Sequence, residues 1–104
     1  MSESACIDYL GEFRLTAYCP CLECSEGYGN STATGVQAQP NHTIAVDPTV
    51  IPYGSKIIIK GQIYTAEDCG GAIKGNAIDI YFLTHEEATN FGLQNDIKVY
   101  IIIN

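Results

Sequence analysis

Short apolar runs along the chain predict β-strands. From 12 to 18 the apolar residues Phe13, Leu15 and Ala17 alternate with other side chains, as in a strand buried on one face. Further apolar or β-branched runs predict five more strands, at 43–46, 55–60, 62–67, 77–82 and 96–103. The aliphatic runs within two of these segments, at 57–59 and 101–103, are continuous, which predicts strands covered on both faces.

The segments between the strands carry signals for one helix and one tight turn. Thr84 and Glu87 have the spacing of a capping box, in which each residue satisfies a backbone amide of the other. A helix is therefore predicted from Thr84 to about Phe91, and Gly92 suits its C-terminal cap. The Lys-Gly pair at 60–61 fits a two-residue hairpin turn between the third and fourth strands.

The remaining segments set the predicted domain organisation. Residues 1–11 lack a pattern and are interpreted as an N-terminal arm or edge segment, followed by a single domain at 12–104. Residues 19–43 are rich in Gly, Ser, Asn and Thr, which predicts a long loop, functional or disordered in a domain of this size. Six short strands and one short helix predict an all-β fold, and a closed barrel would leave no strand edges exposed.

Composition narrows the classes of partner. A chain of 104 residues forms one domain. The formal charge of -7, with only five Lys and Arg residues, argues against nucleic acid or anionic lipid as a partner, because both require clustered basic residues. The sequence has neither a membrane-spanning apolar run nor a signal-peptide pattern. A removed signal, another export route or a domain cut from a longer chain would each account for this.

The segment 66–82 carries the strongest candidate chemistry. Asp68 and Asp79 lie at either end of a glycine-rich loop, and Asp79 interrupts an apolar run that otherwise predicts a buried strand. A carboxylate in such a place is desolvated, which raises its pKa and suits it to act as a general acid. Periodicity alone favours a plainer interpretation, in which Asp79 faces water or closes the loop by accepting backbone hydrogen bonds.

Five blocks of sequence, taken together, resemble the 3D domain, a family named for three aspartates and found in bacterial cell-wall proteins related to stationary-phase and germination muralytic factors. The blocks are Phe-Arg-Leu-Thr-Ala-Tyr at 13–18, Thr-Ala-Thr-Gly at 32–35, Ile-Ala-Val-Asp-Pro at 44–48, Ile-Pro-Tyr-Gly-Ser at 51–55 and the long block at 66–82. They are also similar to the catalytic barrel of membrane-bound lytic transglycosylase A. The resemblance implies a six-stranded double-psi β-barrel.

The resemblance places the three aspartates at Asp47, Asp68 and Asp79. It implies a lytic transglycosylase that cleaves peptidoglycan glycan strands, with Asp79 as acid and then base and the other two lining the same cleft. An ordinary glycosidase uses two carboxylates, whereas internal attack by the sugar's own C6 hydroxyl can use one carboxylate twice. Two alternatives stay open: a muramidase-type hydrolase with Asp68 or Asp47 as base, and a carbohydrate-binding or expansin-like wall-loosening module without turnover.

Other residues of the cleft are expected from the same resemblance. Candidate substrate-binding residues are Lys74, Gly70, Gly71, Thr34, Tyr18 and Thr16. A plainer interpretation assigns the glycines to close backbone approach, Tyr18 to the core and Lys74 to a solvated turn. We expect a monomer without a resident cofactor, acting at the cell wall outside the cytoplasm or delivered by a phage.

The cysteines allow three interpretations. Cys19, Cys21, Cys24 and Cys69 could hold zinc, although this spacing is not a standard zinc knuckle. They could instead form disulfides, for which an exported wall protein is a suitable setting, or remain free thiols. Disulfides or free thiols are favoured over zinc, and Cys6 is expected to be the unpaired one of the five.

A cysteine and two histidines need separate interpretation. Cys69 follows Asp68 where the transglycosylase-like motif would have a hydroxyl residue, so a hydrogen bond from that hydroxyl to the aspartate is in doubt. His42 is interpreted as a loop residue and His85 as a helix-surface residue. Because His85 lies inside the capping box, it is not expected to be a ligand.

Overall fold

The computed structural model describes residues 6–21 and 31–103, which form a closed six-stranded barrel with one short helix. The elements are β1 (Cys6–Tyr18), β2 (Thr43–Ala45), β3 (Lys56–Ile59), β4 (Gln62–Asp68), β5 (Ala77–Tyr81), α1 (His85–Phe91) and β6 (Gln94–Ile103). Around the barrel the strands follow the order β1, β5, β2, β4, β3, β6. The predicted all-β fold with one helix is thereby confirmed.

The barrel mixes parallel and antiparallel pairs. β1 pairs with β5, and β2 with β4, in parallel, while the other neighbours are antiparallel. The β3–β4 hairpin turns at Lys60 and Gly61, which both have positive φ, of 53° and 80°. Positive φ at both central residues matches the twist of the flanking strands. The hairpin prediction is confirmed.

Aliphatic side chains fill the barrel interior. The buried cluster consists of Phe13, Leu15, Ile44, Val46, Ile51, Ile57, Ile59, Ala66, Ile78, Ile80 and Val99. Alternate residues of each strand point into this core. The residues between them therefore point away from it, on what we call the outer face of the barrel.

The ends of β1 and β6 differ from the prediction. β1 begins at Cys6, well before the predicted start at 12, because residues 6–11 of the expected arm pair with β6. Gly11, at φ 124°, accommodates a register shift in this pairing. The prediction that 101–103 is covered on both faces is wrong, since Ile103 is 44% exposed. Ile103 has the same orientation as the buried Val99, but it lies one residue beyond Ile102, the last residue of β6 that pairs with β3.

The helix has the predicted termini. The Thr84 side chain accepts a hydrogen bond from the Glu87 amide, and the Glu87 carboxylate accepts one from the Thr84 amide. Gly92 caps the C-terminus at φ 67° and donates its N–H to the Ala88 carbonyl. The capping-box prediction is confirmed. Among the described residues, no helix is long and apolar enough to cross a membrane.

Candidate active site

The strand register aligns two of the three aspartates on one row across the sheet. Thr16 of β1 is opposite Asp79 of β5, Asp79 is opposite Ala45 of β2, and Ala45 is opposite Asp68 of β4. Directly opposed residues project to the same face. Two strand spacings separate the aspartates, which puts their Cα atoms roughly 10 Å apart. Ala45 lies between them on the row and is buried.

A bulge in β4 turns Asp68 toward this row. Ile44 pairs with Ala66, but the next β2 residue, Ala45, pairs with Asp68, so Glu67 is an extra residue on β4. Without the bulge, strict alternation would point Asp68 to the same side as Ala66, into the barrel core. The bulge therefore brings a carboxylate to the outer face beside Asp79.

A small apolar cluster on the outer face surrounds the row. It consists of Tyr18, Ala38, Ala45 and Tyr81, all buried. The rings of Tyr18 and Tyr81 meet edge to face, with centroids 5.3 Å apart. Ala38 belongs to the connection before β2, which covers this part of the barrel. The cluster removes water from the neighbourhood of Asp79.

Asp79 has the environment of a general acid. It is the one residue of β5 that is not fully buried, and its Oδ1 accepts a hydrogen bond of 2.8 Å from the Thr16 hydroxyl. Desolvation, assisted by the negative charge of Asp68, raises the pKa of Asp79 to about 6. The Thr16 hydrogen bond and the positive charge of Arg14 oppose this rise. Asp79 can thus hold a proton in mildly acidic solution.

Asp68 is held as a hydrogen-bond acceptor. Its Oδ1 accepts from the amides of Ala33, at 2.8 Å, and Cys69, at 2.9 Å, while its Oδ2 accepts from the Tyr18 hydroxyl at 3.2 Å. Burial, and then the nearby Asp68 charge, raise the pKa of Tyr18, so this hydroxyl keeps its proton and donates. Three donors thus fix the Asp68 carboxylate two strands away from Asp79, across β2.

Asp47 lies after β2 and fastens the glycine-rich loop to the barrel. Its Oδ1 accepts from the amide and the hydroxyl of Thr49, and its Oδ2 accepts from the Gly75 amide at 2.8 Å. These bonds, that of Gly75 first, lower the pKa of Asp47. The nearby Val46 amide donates to the Asp68 carbonyl at 2.9 Å. Asp47 is therefore connected to the row through the loop and the backbone.

The other predicted substrate-binding residues lie on two loops. Lys74 is exposed on the loop held by Asp47, and its charge contributes to lowering the pKa of that aspartate. Gly71 has open space where a Cβ would project, whereas a Cβ at Gly70 would lie 3.1 Å from Ile73 Cγ1. On the second loop, Thr34 donates its hydroxyl to the Glu67 carbonyl at 2.9 Å. The fold brings four of the predicted residues together. Thr16 contacts Asp79, Tyr18 contacts Asp68, and the two aspartates lie on one row.

Several contributors to the site were missed from the sequence. The Ala33 amide donates a hydrogen bond to Asp68, and Ala45 lies between the two aspartates on the row. Glu67, the bulge residue, accepts a hydrogen bond from Thr43 at 2.8 Å and pairs with His42 at 3.0 Å. No local pattern marks these positions, because each role depends on which strands become neighbours. The extra residue at Glu67 would be visible only with the register known.

Cys69 lies apart from Cys19 and Cys21, with which it was considered as a zinc ligand. Cys24 lies outside the described residues, and Cys69 does not join Cys19 and Cys21, which meet His85 instead. Cys69 is exposed beside Tyr53, and the hydrogen bond between them raises the pKa of Tyr53 to about 12. No disulfide joins any of the described cysteines.

Comparison with known proteins places this chain in a family. The sequence model of the 3D domain matches residues 42–103. The cell wall-binding protein YocH of Bacillus subtilis is 46% identical over 72 residues, 65% of this chain and 25% of YocH. The putative cell wall shaping protein YabE of the same organism is 44% identical over 91 residues, 84% of this chain and 21% of YabE.

A solved structure shares the fold. MltA from Escherichia coli, described as having a unique lytic transglycosylase fold, superposes with a TM-score of 0.57 at 27% identity, over 69% of this chain and 27% of MltA. The described barrel matches the double-psi barrel of that protein. The chain spans about a quarter or less of YocH and YabE. On the family match and the shared barrel, this chain belongs to the 3D domain family.

Proposed function

We propose that this domain cleaves peptidoglycan glycan strands as a lytic transglycosylase, with Asp79 as the single acid and base. The observation that carries the proposal is the environment of Asp79, where desolvation raises the carboxyl pKa to about 6 on the outer face of the barrel. A general acid works best when its pKa is close to the working pH. The fold shared with MltA supports the same chemistry.

In the first step, protonated Asp79 donates its proton to the oxygen of the bond between N-acetylmuramic acid and N-acetylglucosamine. The bond from that oxygen to the anomeric carbon breaks, the electron pair leaves with the oxygen, and positive charge develops on the carbon. Asp68 is on the same row, and its negative charge is fixed by three donors. A preorganised charge of this kind stabilises the transition state without further reorganisation.

In the second step, the Asp79 carboxylate takes the proton of the muramic C6 hydroxyl. The C6 oxygen bonds to the anomeric carbon and closes a 1,6-anhydro ring, and Asp79 returns to its protonated form. The nucleophile is part of the same sugar, so proximity lowers the barrier and no water is consumed.

The direct test is Asp79→Asn on dye-labelled peptidoglycan. The amide oxygen can still accept the Thr16 hydrogen bond, so the variant should fold, but it has no acid to donate. We expect the release of soluble dye to be lost, with cooperative unfolding preserved. Asp8→Asn is the matched control, since it makes the same change at an exposed position of β1, and it should keep full activity. An active Asp79→Asn would overturn the assignment.

A second function is favoured by one observation, the name of YocH as a cell wall-binding protein. In that case the outer-face row would bind glycan without cleaving it. Co-sedimentation with insoluble peptidoglycan separates the two functions. Binding by the wild type, without soluble products at any pH, would support a binding module and contradict the enzyme proposal.

A further inference from the structure

Two thiols and an imidazole converge beyond the end of β1. The Cys19 and Cys21 Sγ atoms lie 3.1 Å apart, and the Nδ1 atom of His85 lies 3.8 Å from the first and 3.6 Å from the second. Within the part of the chain that the structure describes, these three side chains form a group of potential metal ligands. Their donor atoms all lie within 4.8 Å of one another. The glycan chemistry proposed above uses none of them.

Two ordered elements hold these ligands. Cys19 follows directly after β1, where the Tyr18 carbonyl accepts a hydrogen bond of 2.7 Å from the Phe82 amide. That bond keeps the end of β1 beside the segment entering α1. His85 is the first residue of α1, and the capping box fixes the helix start. The sulfur atoms and the imidazole therefore come from parts of the chain 64 to 66 residues apart, brought together by the barrel.

We propose that Cys19, Cys21 and His85 bind one zinc ion. Tetrahedral zinc, with bonds of about 2.3 Å to sulfur and about 2.0 Å to nitrogen, separates sulfur from nitrogen by roughly 3.6 Å. The two observed sulfur-to-nitrogen distances, 3.8 and 3.6 Å, agree with this separation. The same geometry requires roughly 3.8 Å between the sulfurs, so the two thiolates must move apart slightly from 3.1 Å when the ion binds.

The donor set selects the class of metal. Thiolate and imidazole favour zinc and similar soft or borderline ions over calcium or magnesium, which prefer oxygen. Cys19 is buried, Cys21 is half-buried and His85 is exposed, so the site opens to solvent at the histidine. A water molecule or another ligand from that side would complete the tetrahedron.

The ion would act as a clip between β1 and α1. It would link residues 19 and 21 to the start of the helix and so fix the end of β1, where the Tyr18 hydroxyl reaches Asp68. The ion would have a structural role, and the reacting sugar would not contact it. A metal that binds only the folded chain raises the stability of the fold.

The test is titration of the reduced, metal-free chain with Co²⁺, which reports tetrahedral thiolate ligation through charge-transfer and intense d–d absorption bands. We expect one equivalent to bind, Zn²⁺ to displace it, and Zn²⁺ to raise the melting temperature. His85→Gln should lose both the bands and the thermal shift, and it should fold because His85 is exposed. Cys69→Ser is the matched control and should keep both, because Cys69 is exposed and does not belong to the group.

Four outcomes would overturn the zinc site. One is a reduced wild-type chain that gives no cobalt bands. Another is a His85→Gln variant that binds Co²⁺ as well as the wild type does, which would place the ion elsewhere. The third is loss of the bands in Cys69→Ser. A Cys19–Cys21 disulfide that stays closed under mild reductant, revealed by thiol counting, would also contradict the proposal, because thiolates are needed to bind the ion.

Discussion

Asp79 and Asp47 show how the same side chain acquires opposite properties in one small domain. Desolvation by an apolar cluster raises the pKa of Asp79, although its one side-chain hydrogen bond, from Thr16, opposes the rise. Asp47 accepts three hydrogen bonds, two from Thr49 and one from Gly75, so its pKa falls. Two carboxyl groups with diverging pKa values indicate different roles. We assign Asp79 to proton transfer and Asp47 to holding the loop.

The first residue-scale prediction concerns the pH dependence of activity. Asp79 must begin protonated, so kcat/KM for glycan release should fall as pH rises through about 6. Thr16→Val removes the hydrogen bond that favours the Asp79 carboxylate, which should raise the pKa of Asp79. The falling limb of the pH profile, where kcat/KM decreases, should then move to higher pH. Thr89→Val, on the exposed side of α1, should leave the limb in place. A limb that stays fixed in Thr16→Val would contradict the role assigned to this hydrogen bond.

The second residue-scale prediction concerns stability. The pKa of Asp79 is about 6 in the folded chain against an ordinary value of 3.8, so between these values the folded chain holds a proton that the unfolded chain has lost. The contribution of Asp79 to stability therefore falls as pH rises from about 4 to about 6. At pH 7.5, Asp79→Asn should exceed the wild type in free energy of unfolding by at most about 3 kcal/mol.

Denaturant unfolding at two pH values checks this prediction. The gain from Asp79→Asn should be present at pH 7.5 and should vanish near pH 3.5, where both forms of position 79 are neutral. A variant less stable than the wild type at pH 7.5 would mean that the folded site stabilises the Asp79 carboxylate, which would contradict its raised pKa.

At the scale of elements, one aspartate fastens the glycine-rich loop. Asp47 connects the turn after β2 to Gly75 at the start of the segment leading into β5. Asp47→Asn replaces an accepting oxygen with a donating amide, which cannot serve both Thr49 and Gly75. We expect a lower melting temperature at pH 7, reduced activity, and faster proteolysis of the loop. Asp8→Asn makes the same change at an exposed strand position and should leave the melting temperature, the activity and the rate of proteolysis unchanged.

The pH dependence of this effect has the opposite sign to that of Asp79. Because its folded pKa is lowered, Asp47 contributes stability above the ordinary value of 3.8 and loses it as pH falls through the lowered pKa. The difference in melting temperature between wild type and Asp47→Asn should therefore narrow in acid. A difference that widens in acid would contradict the hydrogen bonds assigned to Asp47.

Local signals in the sequence predicted individual elements well. The hairpin at 60–61 and the capping box at Thr84 depend on neighbouring residues alone, and both are present as predicted. The start of β1 at Cys6 could not be predicted in the same way, because residues 6–11 are strand only by pairing with β6 at the other end of the chain.

At the scale of the whole molecule, the row that carries Asp79 and Asp68 exists because the barrel closes in one particular order. Asp79 of β5 and Asp68 of β4 lie on either side of β2, and the bulge at Glu67 turns Asp68 toward the outer face. The sequence marked Asp79 as unusual, since it interrupts an apolar run. It could not place the Thr16 hydroxyl, 63 positions away, beside that carboxylate, and only the family resemblance suggested Thr16 for the cleft. Nor did it predict His85 beside Cys19 and Cys21.

The most direct test of the proposed mechanism is the mass of the products released from purified peptidoglycan. We expect muropeptides that are lighter by one water than hydrolytic products and lack a reducing end, with none formed by Asp79→Asn. These products would establish internal attack by the C6 hydroxyl with Asp79 as the acid. Full-mass muropeptides with reducing ends would contradict the mechanism, because water and a second catalytic carboxylate would then be required.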